Sequence, residues 1–223
     1  MEKKKSTAQI VEFVIVVMLG ITAVATAWSS WQGGLHGSQM DQKYTQSNNL
    51  ASEGNAEYNA GVQALTRDMM IYNEINSLAI DRIFAESKGD EDEVLKLSWK
   101  IEELMDGNAG ELLEASIYWA WEESERTGVT ISPFENEELT DSYFETAMDL
   151  LAQSAEVMEA GNANNTHGDN QGLVSVIYAV VLFMLGISGT FKGLREKYVL
   201  LAVAGLGFLL ATVFMLTIPI VLP

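Results

Sequence analysis

Three apolar segments bracket one long acidic stretch, and this arrangement constrains the fold more than any other feature. The segments run from about Ile10 to Trp28, from Gly172 to Thr190 and from Tyr198 to Leu222. A helix needs roughly 20 apolar residues to cross a bilayer, and each segment is close to that length. The sequence therefore predicts an all-α integral membrane protein with three transmembrane helices and a soluble helical bundle inserted between the first and second.

The expected boundaries divide the chain into six parts. In chain order these are a cytoplasmic N-terminus at 1–9, transmembrane helix 1 at 10–31, an acidic helical extracytoplasmic domain at 32–170, transmembrane helix 2 at 171–190, a cytoplasmic turn at 191–197 and transmembrane helix 3 at 198–222.

The acidic stretch from Ser29 to Asn170 carries 28 acidic and 7 basic residues, a net charge of −21. This acidity argues against nucleic acid as a partner and against docking on anionic lipid. It fits a solvated surface outside the cytoplasm, or a weak attraction of cations towards the membrane. The chain has no cysteine, so helix packing or oligomerisation has to hold the domain together.

Basic residues outside this stretch form two clusters, which are Lys3, Lys4 and Lys5, and Lys192, Arg195 and Lys197. Lysine and arginine concentrate on the cytoplasmic side of short membrane loops. Both clusters are cytoplasmic only if the N-terminus lies inside and residues 32–170 and the C-terminus lie outside. We expect this orientation in the cell inner (plasma) membrane, with Trp28 and Trp31 as anchors at the outer interface.

The first apolar segment has one alternative interpretation, as a secretory signal. Its lysines and the sequence Ala25-Thr26-Ala27 are similar to a cleavable signal peptide. Glu12 interrupts the start of the apolar region and favours retention as an anchor. We expect Glu12 at the cytoplasmic interface, within reach of Lys3, Lys4 and Lys5.

Within the insert, apolar periodicity predicts one long helix and three shorter ones. They are expected at about 38–86, 93–105, 109–126 and 136–159, with Tyr118 and Trp121 in the core of an antiparallel bundle. Glycines 33, 34 and 37 predict a break or bend between the first span and the long helix. The polar stretch 161–170 predicts a connector, either a surface loop or a frayed helix.

Four hydroxyl residues near the end of the first span, Thr22, Thr26, Ser29 and Ser30, form the candidate assembly or pore face. They could face a central axis between subunits, or they could bond carbonyls of their own helix. After Glu12 no ionisable residue lies within an apolar stretch. Pumps and ion-coupled transporters usually place such groups there, so those classes are disfavoured.

His36, His167 and Asp169 are the only candidate metal ligands, and the pattern is weak. A metal site needs three or four converging ligands, whereas these histidines come from two separate elements. We expect ordinary interfacial histidines, no metal and no cofactor.

The chain resembles a family of uncharacterised bacterial three-span membrane proteins. The resemblance lies in the segment from Thr22 to Gln32 (TAVATAWSSWQ) and in the C-terminal pair of spans joined by a basic turn. It implies the same three-span topology. The family that the chain resembles has no assigned activity. It has an aromatic residue at the position that His36 occupies here, which further weakens the case for a metal site.

Together these features predict a non-enzymatic membrane scaffold, sensor or accessory subunit. It would assemble through its transmembrane helices and its acidic domain, with membrane lipid and either copies of itself or a larger membrane complex as partners. The alternative is a homo-oligomeric cation-permeable channel with an acidic vestibule. An enzyme is not expected, because no nucleophile and base stand at a recognisable spacing.

Overall fold

The computed structural model describes residues 7–222, which form five α-helices and one 3-10 turn. In chain order they are α1 (Thr7–Lys88), α2 (Glu91–Asn108), α3 (Glu111–Thr127), the 3-10 turn Pro133–Glu135, α4 (Glu137–Ser188) and α5 (Leu194–Thr217). Helices α1, α4 and α5 are long and apolar enough to cross a membrane. An all-α fold with three membrane-length helices is therefore confirmed. Lys3, Lys4, Lys5 and Pro223 lie outside the described residues.

The chain divides into two compact units, and α1 and α4 contribute to both. Unit 1 comprises Met1–Ser47 and Ala155–Pro223, and unit 2 comprises Asn48–Ser154. The expected boundaries of the insert were residues 32 and 170. Those are membrane boundaries and stay a prediction, because the division follows packing: residues 32–47 and 155–170 pack against each other and belong to unit 1.

Helix α1 passes without a break through the glycines at which a bend was expected. A Cβ atom on Gly33 would lie 3.4 Å from Cβ of Gln171 and 3.5 Å from the carbonyl oxygen of Gly168. Missing side chains therefore let α1 and α4 approach closely here. The expected connector at 161–170 is likewise helical within α4, because α1 supplies partners for its polar groups.

Unit 1 is held by apolar contacts among α1, α4 and α5. One cluster joins Val11 and Ile15 of α1 to Val181 and Leu185 of α4 and Ala204 of α5. A second cluster contains Val174, Tyr178, Ala211 and Ile218. Large apolar side chains on the outside stay exposed, as in helices that lipid would surround; examples are Val24, Phe183 and Leu216.

Unit 2 is a helical bundle with one apolar core. The core consists of Ile75 from α1, Ile101 and Met105 from α2, Leu113 and Ile117 from α3, and Leu139 from α4. The aromatic residues expected there are not part of it. Tyr118 is 50% and Trp121 is 40% exposed, because α3 turns Leu113, Ile117 and Ala120 inward instead.

Within unit 2, α1 meets α4 along a seam with a seven-residue repeat. Its buried residues Gly54, Gly61, Asp68 and Ile75 are seven apart, the spacing of an apolar seam in a coiled coil. A Cβ atom on Gly54 would lie 3.0 Å from Cγ of Leu151. This contact is therefore among the closest helix contacts of unit 2.

Candidate functional site

A line of buried polar side chains runs between α1 and α4 in unit 1. We call it the polar seam, and it contains Ser29, Gln32 and His36 of α1 with Asn164 and Gln171 of α4. Ser29, Gln32, His36 and Gln171 are each at most 1% exposed. Buried polar groups require hydrogen-bond partners, and the seam supplies them across the helix interface.

At one end of the seam, two serines join α1 to α4. Ser29 Oγ lies 2.8 Å from the carbonyl oxygen of Gln171 and 2.8 Å from its Oε1. Ser30 Oγ lies 3.1 Å from Ser175 Oγ. Both serines therefore serve helix pairing within the chain.

Next along the seam, Gln32 and His36 hold the segment that follows α5. Gln32 Nε2 donates to the carbonyl oxygen of Val221 at 3.1 Å, and the Val221 amide donates to Gln32 Oε1 at 2.9 Å. His36 Nε2 lies 3.0 Å from the carbonyl oxygen of Pro219. A peptide carbonyl only accepts, so Nε2 is the donor in this contact. These side chains satisfy backbone groups that no helix satisfies, and we call the arrangement the C-terminal clasp.

The proposed metal ligands come together only in part. The rings of His36 and His167 lie 5.3 Å apart between centroids, but His36 Nδ1 lies 3.1 Å from Asn164 Oδ1. Both nitrogens of His36 are thus engaged within the chain, and Asp169 is exposed. Among residues 7–222, no three histidine, cysteine or acidic side chains are placed to hold a metal ion.

The hydroxyls of the first span are used inside the chain as well. Thr22 is fully buried, and its Oγ1 donates to the carbonyl oxygen of Met18 at 2.7 Å. Thr26 Oγ1 donates to the carbonyl oxygen of Thr22 at 2.8 Å. Trp28 and Trp31 are 41% and 46% exposed and meet edge to face at 5.1 Å. Thr22 and Ser29 would have to leave their partners to line a space between subunits.

An ion pair joins the start of α1 to the start of α5. Lys197 Nζ donates to Glu12 Oε1 at 2.8 Å, and Lys197 is only 7% exposed. Helix α5 begins at Leu194, so Arg195 and Lys197 belong to the helix while Lys192 precedes it. Lys197 thus turns inward against α1. The signal for this pair was a lone acid and a lysine, each at the edge of an apolar segment.

Sequence reasoning also missed the glutamines of the polar seam. Gln32 and Gln171 flank apolar segments and look like ordinary polar residues at a span end. The available signal was spacing, because Ser29, Gln32 and His36 are three and four residues apart and share one helix face.

In unit 2, a buried carboxylate belongs to the structure of the helix seam. Asp68 is 5% exposed; it accepts from Tyr143 Oη at 2.7 Å and from Arg67 Nε and Nη2 at 3.1 and 3.0 Å. Burial and the neighbouring Asp68 carboxylate raise the pKa of the Tyr143 phenol. The phenol therefore remains a neutral donor that ties α4 to α1.

Unit 2 also exposes apolar and aromatic side chains that its own core does not use. On α2, Leu95 is 74% and Trp99 is 62% exposed. On α3, Tyr118 and Trp121 meet edge to face at 5.5 Å between ring centroids. Exposed apolar groups of this size often mark contact surfaces.

These arrangements pair helices, hold the segment after α5 in place and expose apolar side chains on unit 2. The chain matches no family model, no curated protein and no solved structure.

Proposed function

We propose that the protein is a non-enzymatic membrane scaffold or accessory subunit whose acidic helical domain holds a partner protein outside the cytoplasm. It would lie in the inner (plasma) membrane, with its N-terminus and the turn between α4 and α5 inside. Membership of the bacterial three-span family that the sequence resembles is part of this proposal.

The observation that carries the proposal is that buried polar side chains hold unit 1 together, whereas apolar and aromatic side chains are exposed on unit 2. In unit 1 the buried polar side chains bond to one another or to backbone groups of the same chain, as a protein that holds its own helices in place requires. In unit 2 large apolar and aromatic side chains are exposed, among them Leu95, Trp99, Tyr118 and Trp121. Aromatic residues are enriched where proteins contact one another, which supports a surface for assembly.

A channel lined by the first span has less support. Thr22 and Ser29 are buried inside a single chain and already bonded. A pore between subunits would need them at the surface of α1. A cation conductance in liposomes that is abolished by Thr22→Leu would nonetheless favour the channel and contradict the scaffold.

The Glu12–Lys197 ion pair supports the part of the proposal that puts the N-terminus and the turn before α5 on one side, because it joins the start of α1 to the start of α5. The chain has no cysteine, so single cysteines can be labelled without background. We expect a membrane-impermeant maleimide to label Ser77→Cys, in exposed unit 2, on intact cells. Thr190→Cys, in the turn after α4, should be labelled only after permeabilisation. The reverse pattern would contradict the orientation.

Assembly is tested by the mass of the protein in native nanodiscs cut directly from the cell membrane. We expect one defined complex, heavier than a single chain, with fixed stoichiometry. A chain that is monomeric and free of bound protein in every preparation would refute the scaffold function.

A further inference from the structure

The outward face of α2 carries an apolar pair between acidic ends. Asp92, Leu95, Trp99, Glu102 and Asp106 follow one another at spacings of three and four residues, which places them on one side of the helix. We call these five residues the α2 stripe. The opposite side, with Leu97, Ile101 and Met105, is buried in the core of unit 2, so the stripe necessarily faces away from it.

The apolar pair of the stripe is exposed. Leu95 and Trp99 are 74% and 62% exposed and are one turn apart, so their side chains are neighbours. Tryptophan is among the residue types that are enriched in contact hot spots.

The charges around the pair are predominantly negative. Helix α2 contains six acidic residues and two lysines. Lys96, beside the stripe, is already paired with Glu93, its Nζ lying 3.1 Å from both carboxylate oxygens. Lys100 is exposed on the flank of the helix, outside the stripe, and the charged residues of the stripe itself are Asp92 at one end and Glu102 and Asp106 at the other.

We propose that the α2 stripe binds a basic amphipathic helix of a partner protein. Apolar side chains of that helix would cover Leu95 and Trp99, while lysine or arginine on either side would meet the acidic ends. This inference rests on the proposed scaffold function and specifies the chemistry of the partner that the scaffold holds.

Charge opposes two other occupants of the stripe, which are an anionic lipid surface and a second copy of this chain. Anionic lipid headgroups would be repelled by Asp92, Glu102 and Asp106. In an antiparallel pair of two copies that brings Leu95 against Trp99, Asp92 of one copy would face Glu102 of the other. Like charges across an interface oppose association.

The test uses the full chain in phosphatidylcholine nanodiscs and a fluorescent synthetic peptide. The peptide repeats leucine every three or four residues and carries lysine on both flanks. Two control peptides have the same residues in scrambled order, or glutamate in place of lysine. We expect only the patterned lysine peptide to bind in fluorescence anisotropy, more weakly as salt rises.

Variants locate the site. Trp99→Ala should weaken peptide binding by about tenfold or more, the effect of removing a hot spot. Trp119→Ala, a tryptophan on α3 that is 36% exposed and lies outside the stripe, is the matched control and should leave the affinity unchanged. The double variant Glu102→Gln and Asp106→Asn keeps the shape of the stripe and should weaken binding and flatten its salt dependence.

Each of the following results would overturn the proposal: no binding of the patterned lysine peptide, equal binding of the scrambled peptide, binding unaffected by Trp99→Ala, or self-association that Trp99→Ala abolishes. The outcome separates from that of the proposed function. If the complex in native nanodiscs keeps its mass with Trp99→Ala, the stripe is not the docking site but the scaffold remains. If wild type forms no complex, the scaffold function itself fails.

Discussion

Replacing Gly61 with alanine would place a Cβ atom against the backbone of α4 in unit 2. That atom would overlap the carbonyl oxygen of Tyr143, and it would lie 3.0 Å from the Tyr143 carbonyl carbon and 3.2 Å from Cδ1 of Phe144. A backbone oxygen cannot rotate out of the way as a flexible side chain can. The two helices therefore have to separate to accommodate one methyl group.

The size of the effect follows from two opposing contributions. In an exposed helix interior, alanine is more favourable than glycine by about 1 kcal/mol. Overpacking a close contact costs about 1–3 kcal/mol, and a backbone clash belongs at the upper end of that range. The expected net loss is about 2 kcal/mol. For a chain of this size, each kcal/mol shifts Tm by about 2–4 °C, so Tm should fall by about 4–8 °C.

Thermal unfolding of the detergent-solubilised protein, followed by far-UV circular dichroism, measures this shift. The control is Gly34→Ala in the same helix, because Gly34 is exposed and a Cβ atom there meets nothing within 4 Å. Gly34→Ala should leave Tm unchanged or raise it slightly. A Gly61→Ala variant as stable as Gly34→Ala would refute the close approach of α1 and α4.

Three further outcomes follow from single contacts. Glu12→Gln leaves the buried Lys197 ammonium without its anionic partner, so unfolding free energy should fall by about 1–3 kcal/mol; adding Lys197→Met should restore part of it, and no recovery would contradict the pairing. Gln32→Leu frees both backbone groups of Val221, whose amide should exchange faster with deuterium; unchanged exchange would argue against the clasp. The raised pKa of Tyr143 means that the unfolded phenol loses its proton first, near pH 10.0. Wild type should therefore lose stability above that pH more steeply than Tyr143→Phe, and parallel pH profiles would rule this out.

The three spans could be predicted because they depend only on composition and length. An apolar segment as long as Tyr198–Leu222 is read as a helix that can cross the hydrocarbon core of a bilayer. The existence of helices in the insert was also predictable from periodicity. Both properties are local, so a single sequence is enough to determine them.

The continuity of α1 and α4 could not be predicted, because it depends on what each helix meets. Glycine and asparagine disfavour helix when considered alone. Gly33 lies within a helix at the point where α4 packs closely against it at Gly168. Asn164 also lies within a helix, where its side chain contacts His36. Tyr118 and Trp121 were expected in the core since aromatic residues usually pack inside. Only the position of α3 against Ile75 decides which of its faces is buried.

The candidate site was predicted in its residues more than in its contacts. Ser29 and His36 were identified from the sequence, but their partners Gln171 and Pro219 lie more than a hundred residues away. The α2 stripe was not foreseen at all, because an apolar pair on a helix normally indicates the core.

The polar seam also fixes the register of the helix pair. Where the residues along a helix contact are small, one helix can slide past another at little cost. Small side chains do not interlock, so neighbouring registers pack about equally well. Sliding α1 by one turn against α4 would separate Ser29 from Gln171 and His36 from Asn164 at the same time. Each buried group left without a partner costs about 1–3 kcal/mol, so the displaced states are rarely occupied. The hydrogen bonds of the polar seam thus oppose sliding of α1 along α4. A force that displaces α1 along its axis would therefore move α4 with it.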